Sequence, residues 1–312
     1  MLSLHEREIV MRISPRDAKH HVPNYFQMAS STFLSLKGYG VELIAEQTIL
    51  ITGATDGLGK ATALALAKLG ARVLLHGRDE ARLALAKADI TAESGNPKIA
   101  TYRADLAVLA EVRHLAYTVL AEHPALHTLI NNAAAAGSPT RSLSADGHEM
   151  QFAVNYLAPF LLTRLLLPAL AAGAPSRIIN VSSAGQFPIN FDDMMMAQNY
   201  QPLDAYRQSK LAQVMFTFSL APQVADAGIT VNVLHPGSMM PTKLAQGFFN
   251  RSMDTLETGV NSVLRLASDP ALDGVTGLYF DHLTETRANE QAYDADVRRR
   301  LWALSEQLTQ AE

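Results

Sequence analysis

From Thr48 onward the chain alternates two kinds of segment. Short runs dense in Val, Ile, Leu and Thr fall at residues 48–52, 72–76, 98–103, 128–131, 177–181 and 230–234, with a last one at 277–280. Between them lie longer stretches of helical character at 60–69, 80–94, 109–123, 147–170 and 206–225. The short runs are apolar almost throughout, as strands buried on both faces are. This alternation predicts an α/β fold, a doubly wound, mostly parallel sheet with helices on both faces. No repeat, low-complexity tract or linker interrupts residues 46–312, so one domain is expected there. Residues 1–45 lack periodicity and carry Ser and Gly through 28–40. They are expected to form an N-terminal extension, partly disordered.

Composition narrows the function. The 312 residues, 48% of them apolar, can bury one large core. A net charge of −4 makes no electrostatic case for nucleic acid or an anionic membrane. The chain has no cysteine, which excludes disulfides, thiol catalysis and Cys-ligated zinc, and a reducing, cytoplasmic setting is expected. The histidines show no ligand spacing, so no metal site is expected. The most apolar stretch, 160–172, is interrupted by Arg164 and Pro168; it reads as a buried helix, and no membrane span is expected.

The first chemistry-bearing segment is Ile49-Leu50-Ile51-Thr52-Gly53-Ala54-Thr55-Asp56-Gly57-Leu58-Gly59, a strand running into a helix through a Gly-rich turn. Glycines there let the chain turn tightly and bring backbone amides and a helix N-terminus close to a pyrophosphate. The spacing Gly-x-x-x-Gly-x-Gly is weak alone, since glycines also mark plain turns; the strand before it and the Ala-rich helix after it add weight. The second strand ends in Gly77-Arg78, where dinucleotide folds usually carry an acidic residue for the adenosine ribose. A missing carboxylate beside a guanidinium favours a 2′-phosphate, hence NADP over NAD. Asp56, inside the turn, weighs against that preference. Asp105, with Leu106, stands where the adenine edge is met, although an Asp before a helix is equally a plain cap. Asn131-Asn132-Ala133-Ala134 ends a further strand and is expected to line the same cleft.

Proton handling comes from a second set. Tyr206 and Lys210 are four apart, so a helix puts both on one face. A nearby ammonium would favour the phenolate and lower the Tyr206 pKa from about 10. Tyr206 would then serve as general acid or base. Tyr-x-x-x-Lys alone is a cheap pattern, and position and company decide its meaning. Ser183 follows the strand at 177–181, at the sheet edge where ligands of such folds collect, and can hydrogen-bond a substrate oxygen. Its neighbour Ser182 is the structural alternative, a hydroxyl satisfying local backbone. Asn155, in an otherwise apolar helix, needs partners: a backbone group, or a water linking Lys210 to solvent; a local helix irregularity without a part in proton transfer is the alternative. The turn His235-Pro236-Gly237, with Thr242 beyond it, is placed to frame a nicotinamide.

Together these residues resemble the short-chain dehydrogenase/reductase family from about Glu46 to the C-terminus. The resemblance implies a single-domain Rossmann-type sheet of about seven parallel strands, a nicotinamide cofactor and an Asn-Ser-Tyr-Lys tetrad, here Asn155, Ser183, Tyr206 and Lys210. It carries the cofactor turn onto Thr52, Gly53, Gly57 and Gly59, and the Pro-Gly pair onto Pro236 and Gly237. Within the family the chain looks most like retinol-dehydrogenase-like members, through the long gap between Ser183 and Tyr206, the run Tyr206-Arg207-Gln208-Ser209-Lys210-Leu211-Ala212, and the basic residue after the second strand. Three positions depart from the pattern. Ala134 replaces a glycine, Thr242 stands one residue further from Gly237, and Gln213 replaces an asparagine.

The expected activity is NAD(P)-dependent interconversion of an alcohol and its carbonyl on a small, lipophilic substrate. The segments 184–205 and 239–256 carry Phe187, Phe191, Met194, Met195, Met196, Met239, Met240, Phe248 and Phe249 for an apolar lining, with core packing the alternative for each. Two other readings compete: a dinucleotide-binding sensor or scaffold without turnover, and a nucleotide-sugar epimerase or dehydratase. The family resemblance also implies a homo-oligomer, through the helices at 147–170 and 206–225.

Overall fold

The computed structural model describes residues 44–135, 137–242 and 252–310. Seven strands form a parallel sheet: β1 (Thr48–Ile51), β2 (Arg72–Gly77), β3 (Ile99–Arg103), β4 (Thr128–Asn131), β5 (Ser176–Val181), β6 (Ile229–His235) and β7 (Tyr279–Asp281). An eighth, β8 (Thr284–Glu285), pairs antiparallel with β7. The sheet therefore has eight strands where about seven were expected. The addition is a two-residue return after a tight turn, too short to leave a hydrophobic run in the sequence. The spatial order is β3-β2-β1-β4-β5-β6-β7-β8. Chain direction across the sheet reverses between β1 and β4, and ligands of such sheets bind beyond the strand ends at that point.

The helices are α1 (Gly57–Lys68), α2 (Glu80–Ser94), α3 (Leu109–Glu122), α4 (Met150–Ala172), α5 (Pro202–Val224), α6 (Leu256–Ser268) and α7 (Ala295–Gln310). Strand side chains alternate between two cores. Leu50 of β1 packs with residues of α3, α4, α5 and α7, while Ile49 and Ile51 pack with α1, α2 and α6. Full burial of each such side chain contributes roughly 1.5–3 kcal/mol.

Helix α4 runs through Pro168, as the expected helix at 147–170 does; it spans 23 residues and by length and hydropathy alone could cross a bilayer. In the fold 72% of its most apolar window is buried, with Phe160, Leu162 and Leu166 inside the core. Residues 153–157 of α4 form a π-helical turn, and Asn155 sits in it. Helix α7 packs against α4 and α5. Trp302 contacts Phe160 and Phe216, at 5.2 and 5.9 Å between ring centroids, and the Tyr156 hydroxyl meets Ser305 Oγ at 2.7 Å. The extension at 1–43 lies outside the described residues.

Candidate active site

The turn between β1 and α1 owes its shape to two glycines in the left-handed region, Gly53 at φ +67° and Gly57 at φ +52°. Other residues are strained there. Close approach matters as much. A Cβ on Gly59 would lie 2.3 Å from the Gly53 carbonyl oxygen and 2.5 Å from Asn132 Nδ2. Asp56 caps α1, its carboxylate accepting from Gly57 N at 2.8 Å. Thr52 does not line the cleft. It is buried beneath, its hydroxyl accepting from the backbone N–H groups of Asn132 and Ala133 at 2.9 and 3.0 Å. Asn132 returns the tie, donating to the Thr52 carbonyl at 2.8 Å. Thr52 thus joins the ends of β1 and β4, a bracing role that its place in the motif does not reveal.

A cleft of about 790 Å³ opens above this turn. Thr55, Asp56, Leu58, Ala133, Asp105 and Leu106 line it, as expected. Arg78 borders it too, and so does Arg82 from the first turn of α2, which the sequence did not single out. The Asp105 carboxylate folds back onto Ala107 N at 2.9 Å, a local turn rather than a cap on α3. His76 was also missed. It is fully buried at the end of β2; its Nδ1 accepts from Gly53 N at 3.3 Å and its Nε2 meets the Ala104 carbonyl at 3.1 Å. Burial pushes its pKa down to about 4, against the opposing pull of the Ala104 carbonyl and Asp105. This neutral imidazole joins the Gly-rich turn to the loop after β3. A histidine in a buried strand was the only signal for it.

At the other end, Ser183, Tyr206 and Lys210 line the same cleft as the Gly-rich turn. The Ser183 hydroxyl hydrogen-bonds Tyr206 and also accepts from Gly185 N at 3.1 Å. Ser182 takes the structural part, donating to the Lys210 carbonyl at 2.8 Å. Asn155 is buried behind the wall, not in it. Its Oδ1 accepts from Ala135 N at 2.7 Å and its Nδ2 donates to Ser209 Oγ at 3.0 Å. It thereby ties the loop after β4 to α4 and α5, the backbone alternative among its expected partners.

One expectation is reversed. Burial pushes the Tyr206 hydroxyl up to about 12, with the Ser183 hydrogen bond only partly opposing it. Lys210 does not offset that burial. Its ammonium group donates to the Val181 carbonyl at 2.8 Å and to Gln213 Oε1 at 3.0 Å, and lies 5.6 Å from the Tyr206 ring centroid. Burial drives Lys210 itself down to about 7. An amine whose charged form is disfavoured by burial and whose donors are engaged elsewhere lowers the phenol less than a free ammonium would.

The loop after β6 folds back over the turn. Pro236, Gly237 and Thr242 line the cleft, and the Thr242 methyl lies 3.2 Å from where a Gly57 Cβ would stand. Apolar side chains in the cleft lining come from Met150, Val154, Leu203, Met239 and Met240. Of the expected lining, Met194 and Met196 are buried, Phe191 packs against the core and Phe187 is exposed away from the cleft wall. Phe248 and Phe249 lie outside the described residues.

A cradle whose Gly59 has no room for a Cβ, a helix N-terminus beneath it and a paired phenol and amine at the far end fit a nicotinamide dinucleotide. Residues 47–252 match the short chain dehydrogenase family, and the chain belongs to it. It is an oxidoreductase of the retinol-dehydrogenase-like kind. The chain is 41% identical to retinol dehydrogenase 13 of Mus musculus over 283 residues, covering 85% of this chain and 84% of that protein. Among solved structures, the NADPH-bound carbonyl reductase from chicken fatty liver superposes with a TM-score of 0.60 at 26% identity, covering 78% of this chain and 98% of that one. The 3-ketoacyl-(acyl-carrier-protein) reductase from Brucella melitensis, complexed with NADH, gives 0.61 at 25% identity, covering 75% and 96%.

Proposed function

We infer that this protein interconverts a small lipophilic alcohol and its carbonyl using NADP, with Tyr206 as the proton-exchanging group. The observation carrying this reading is the Tyr206 hydroxyl, hydrogen-bonded to Ser183 in the wall of the cleft that the Gly-rich turn also lines. Bound there, the nicotinamide ring supplies or accepts the hydride. The chain does the rest. Ser183 donates to the substrate oxygen and holds it against the phenol. Tyr206 gives that oxygen its proton in reduction and removes it in oxidation. Such transfer contributes about 10²- to 10⁴-fold in rate. Lys210, poised near neutrality, exchanges protons with the site from the next turn of α5. Asn155 fixes the spacing of α4 and α5 behind them.

NADP is favoured because Arg78 and Arg82 both border the cleft, and β2 ends in Gly77 rather than in a carboxylate. The lining of Met150, Val154, Leu203 and Met239 supports an apolar substrate. The similarity to retinol dehydrogenase 13 makes retinol and retinal the first pair to test. The deciding experiment is a panel of alcohols and carbonyls, retinoids included, assayed with each cofactor by absorbance of the reduced nicotinamide. Turnover of lipophilic members with NADPH in preference to NADH is expected. No turnover of any member by protein that binds NADPH would return the chain to the sensor reading.

A further inference from the structure

Where His235 and Ser238 line the cleft, strand pairing assembles a group of side chains that the proposed reaction does not use. His235 ends β6 and Asp281 ends β7, and the two are register partners across the parallel pair. His282 follows at once, in the β7–β8 turn, at a left-handed φ of +55°. The donor atoms of His235, Asp281 and His282 lie within 4.8 Å of one another. Forty-six positions separate His235 from Asp281 (235 to 281), so no ligand spacing appears in the sequence.

The hydrogen bonding around these residues has the character of a metal ligand set. His235 Nε2 meets Ser238 Oγ at 3.0 Å, and His282 Nε2 meets Asp254 Oδ2 at 3.0 Å. Asp254 is itself fixed, accepting from Ser238 N at 2.6 Å. Metal-bound histidines nearly always donate their other ring N–H to a carboxylate or similar acceptor, which fixes the tautomer and directs the lone pair. Here both Nε2 atoms have such acceptors, leaving the two Nδ1 atoms for an ion. His282 Nδ1 lies 2.7 Å from Asp281 Oδ1, a contact an ion would replace by binding both. His235 Nδ1 is the second, independent observation. Its side chain is 6% exposed, and this nitrogen has no hydrogen-bond partner among the described residues. An orphaned buried acceptor is costly unless something fills the place beside it. The left-handed backbone at His282 carries a further cost, of the kind that persists where a side chain has a fixed task.

We propose that His235, Asp281 and His282 form a binding site for one divalent transition-metal ion of the zinc class, with Asp254 and Ser238 as outer-shell partners. Two imidazoles and one carboxylate suit such an ion, with water completing its coordination. The ion would lock the loop after β6, which carries Pro236 and Gly237, to the β7–β8 turn. Its role is structural and lies outside the proton chemistry of Tyr206.

The test uses the full chain, treated with EDTA and desalted, then titrated with Zn²⁺ by calorimetry and with Co²⁺ by visible absorption. Saturable binding of one equivalent is expected, with visible bands for Co²⁺ and a melting temperature that rises with Zn²⁺. Asp281→Asn should weaken Zn²⁺ at least tenfold and remove the thermal shift; Asp254→Asn should weaken it roughly 10- to 100-fold, as outer-shell changes do. Melting without metal confirms that each variant is folded, and His282→Asn replaces Asp281→Asn if that one is not. Absence of saturable binding by the wild type overturns the site. So does equal affinity in wild type and the folded ligand variant, because the ion would then sit elsewhere.

Discussion

At the Arg78 end of the cleft one continuous stretch of chain, Gly53 to Gly59, contributes to the wall through its backbone, with Arg78, Arg82, Asp105 and Leu106 beside it. At the Tyr206 end the wall is assembled from Ser183 after β5 and Tyr206 and Lys210 on α5, braced by Asn155 on α4. Their electrostatics differ as well. The first end carries exposed ionic groups, Asp56 and Arg78, suited to a charged ligand. At the second, desolvation pushes the half-buried phenol up to about 12 and the buried amine down to about 7, both toward neutrality. Binding and proton transfer are therefore built separately here. One end holds charge in a rigid backbone cradle at the surface, and the other keeps a proton on a neutral acid in the cleft wall.

The sharpest way to break this division is Tyr206→Phe. If chemistry resides at the buried end alone, turnover should fall by about 10²- to 10⁴-fold while NADPH affinity stays within about twofold. Fluorescence titration of the cofactor beside steady-state rates would read both. A comparable loss of cofactor binding would merge the two ends. The raised phenol pKa adds a directional test. Tyr206 must be protonated to act as acid and deprotonated to act as base. Carbonyl reduction should therefore hold its rate above neutral pH, whereas alcohol oxidation should climb as pH rises toward the phenol's value.

Gly59→Ala attacks the other end. The new methyl would press 2.3 Å from the Gly53 carbonyl oxygen. Relief requires backbone movement costing about 1–3 kcal/mol. Cofactor affinity should fall by roughly tenfold or more, with kcat at saturating cofactor much less affected. A variant that bound NADPH normally would show that the cradle tolerates more movement than its contacts imply.

His76 tests what lies beneath the charged end. Its folded pKa is about 4 against an ordinary 6.5, so between these values the unfolded chain binds more protons than the folded one. Stability from this residue is therefore complete at neutral pH and is lost as pH falls from 6.5 toward 4. By pH 5 the loss is about 2 kcal/mol. In His76→Gln that part of the acid slope should vanish in denaturant titrations at pH 7 and pH 5. An unchanged slope would mean that the imidazole is not held neutral.

What the sequence revealed divides along the same line. Strands buried on both faces announce themselves as apolar runs, so β1 to β6 could be placed to within a residue or two. The Gly-rich turn was legible because it is local. Tyr206 and Lys210 were legible because helical spacing puts them on one face, yet the pKa consequence was not, since it depends on what Lys210 donates to. Gln213, three residues along the same helix, takes part of that donation. Arg82 and His76 were hidden for a different reason: each reaches the site across an element boundary. The π-turn at 153–157 left one trace, a polar Asn155 in an apolar helix, whereas β8 was illegible because nothing in residue type distinguishes it from ordinary loop. The pairing of His235 with Asp281 appears only once β6 and β7 lie side by side.

The smallest expected effect bears on cofactor choice. Arg78 is exposed and follows β2 directly, so a contact with a 2′-phosphate would be a charge-assisted hydrogen bond at the surface, weakened by solvent and salt. Arg82 borders the same end and retains part of the positive field after Arg78 is removed. Arg78→Ala should therefore weaken NADPH by about tenfold at low salt, some 1.4 kcal/mol, while NADH changes little. Adding Arg82→Ala should deepen the loss for NADPH alone, and raising salt should narrow the gap between wild type and variant. Direct titration of both cofactors at two ionic strengths separates these outcomes. Equal losses for NADH and NADPH would show that Arg78 supports the fold of the α2 start rather than a phosphate, and the preference for NADP would lose its physical basis.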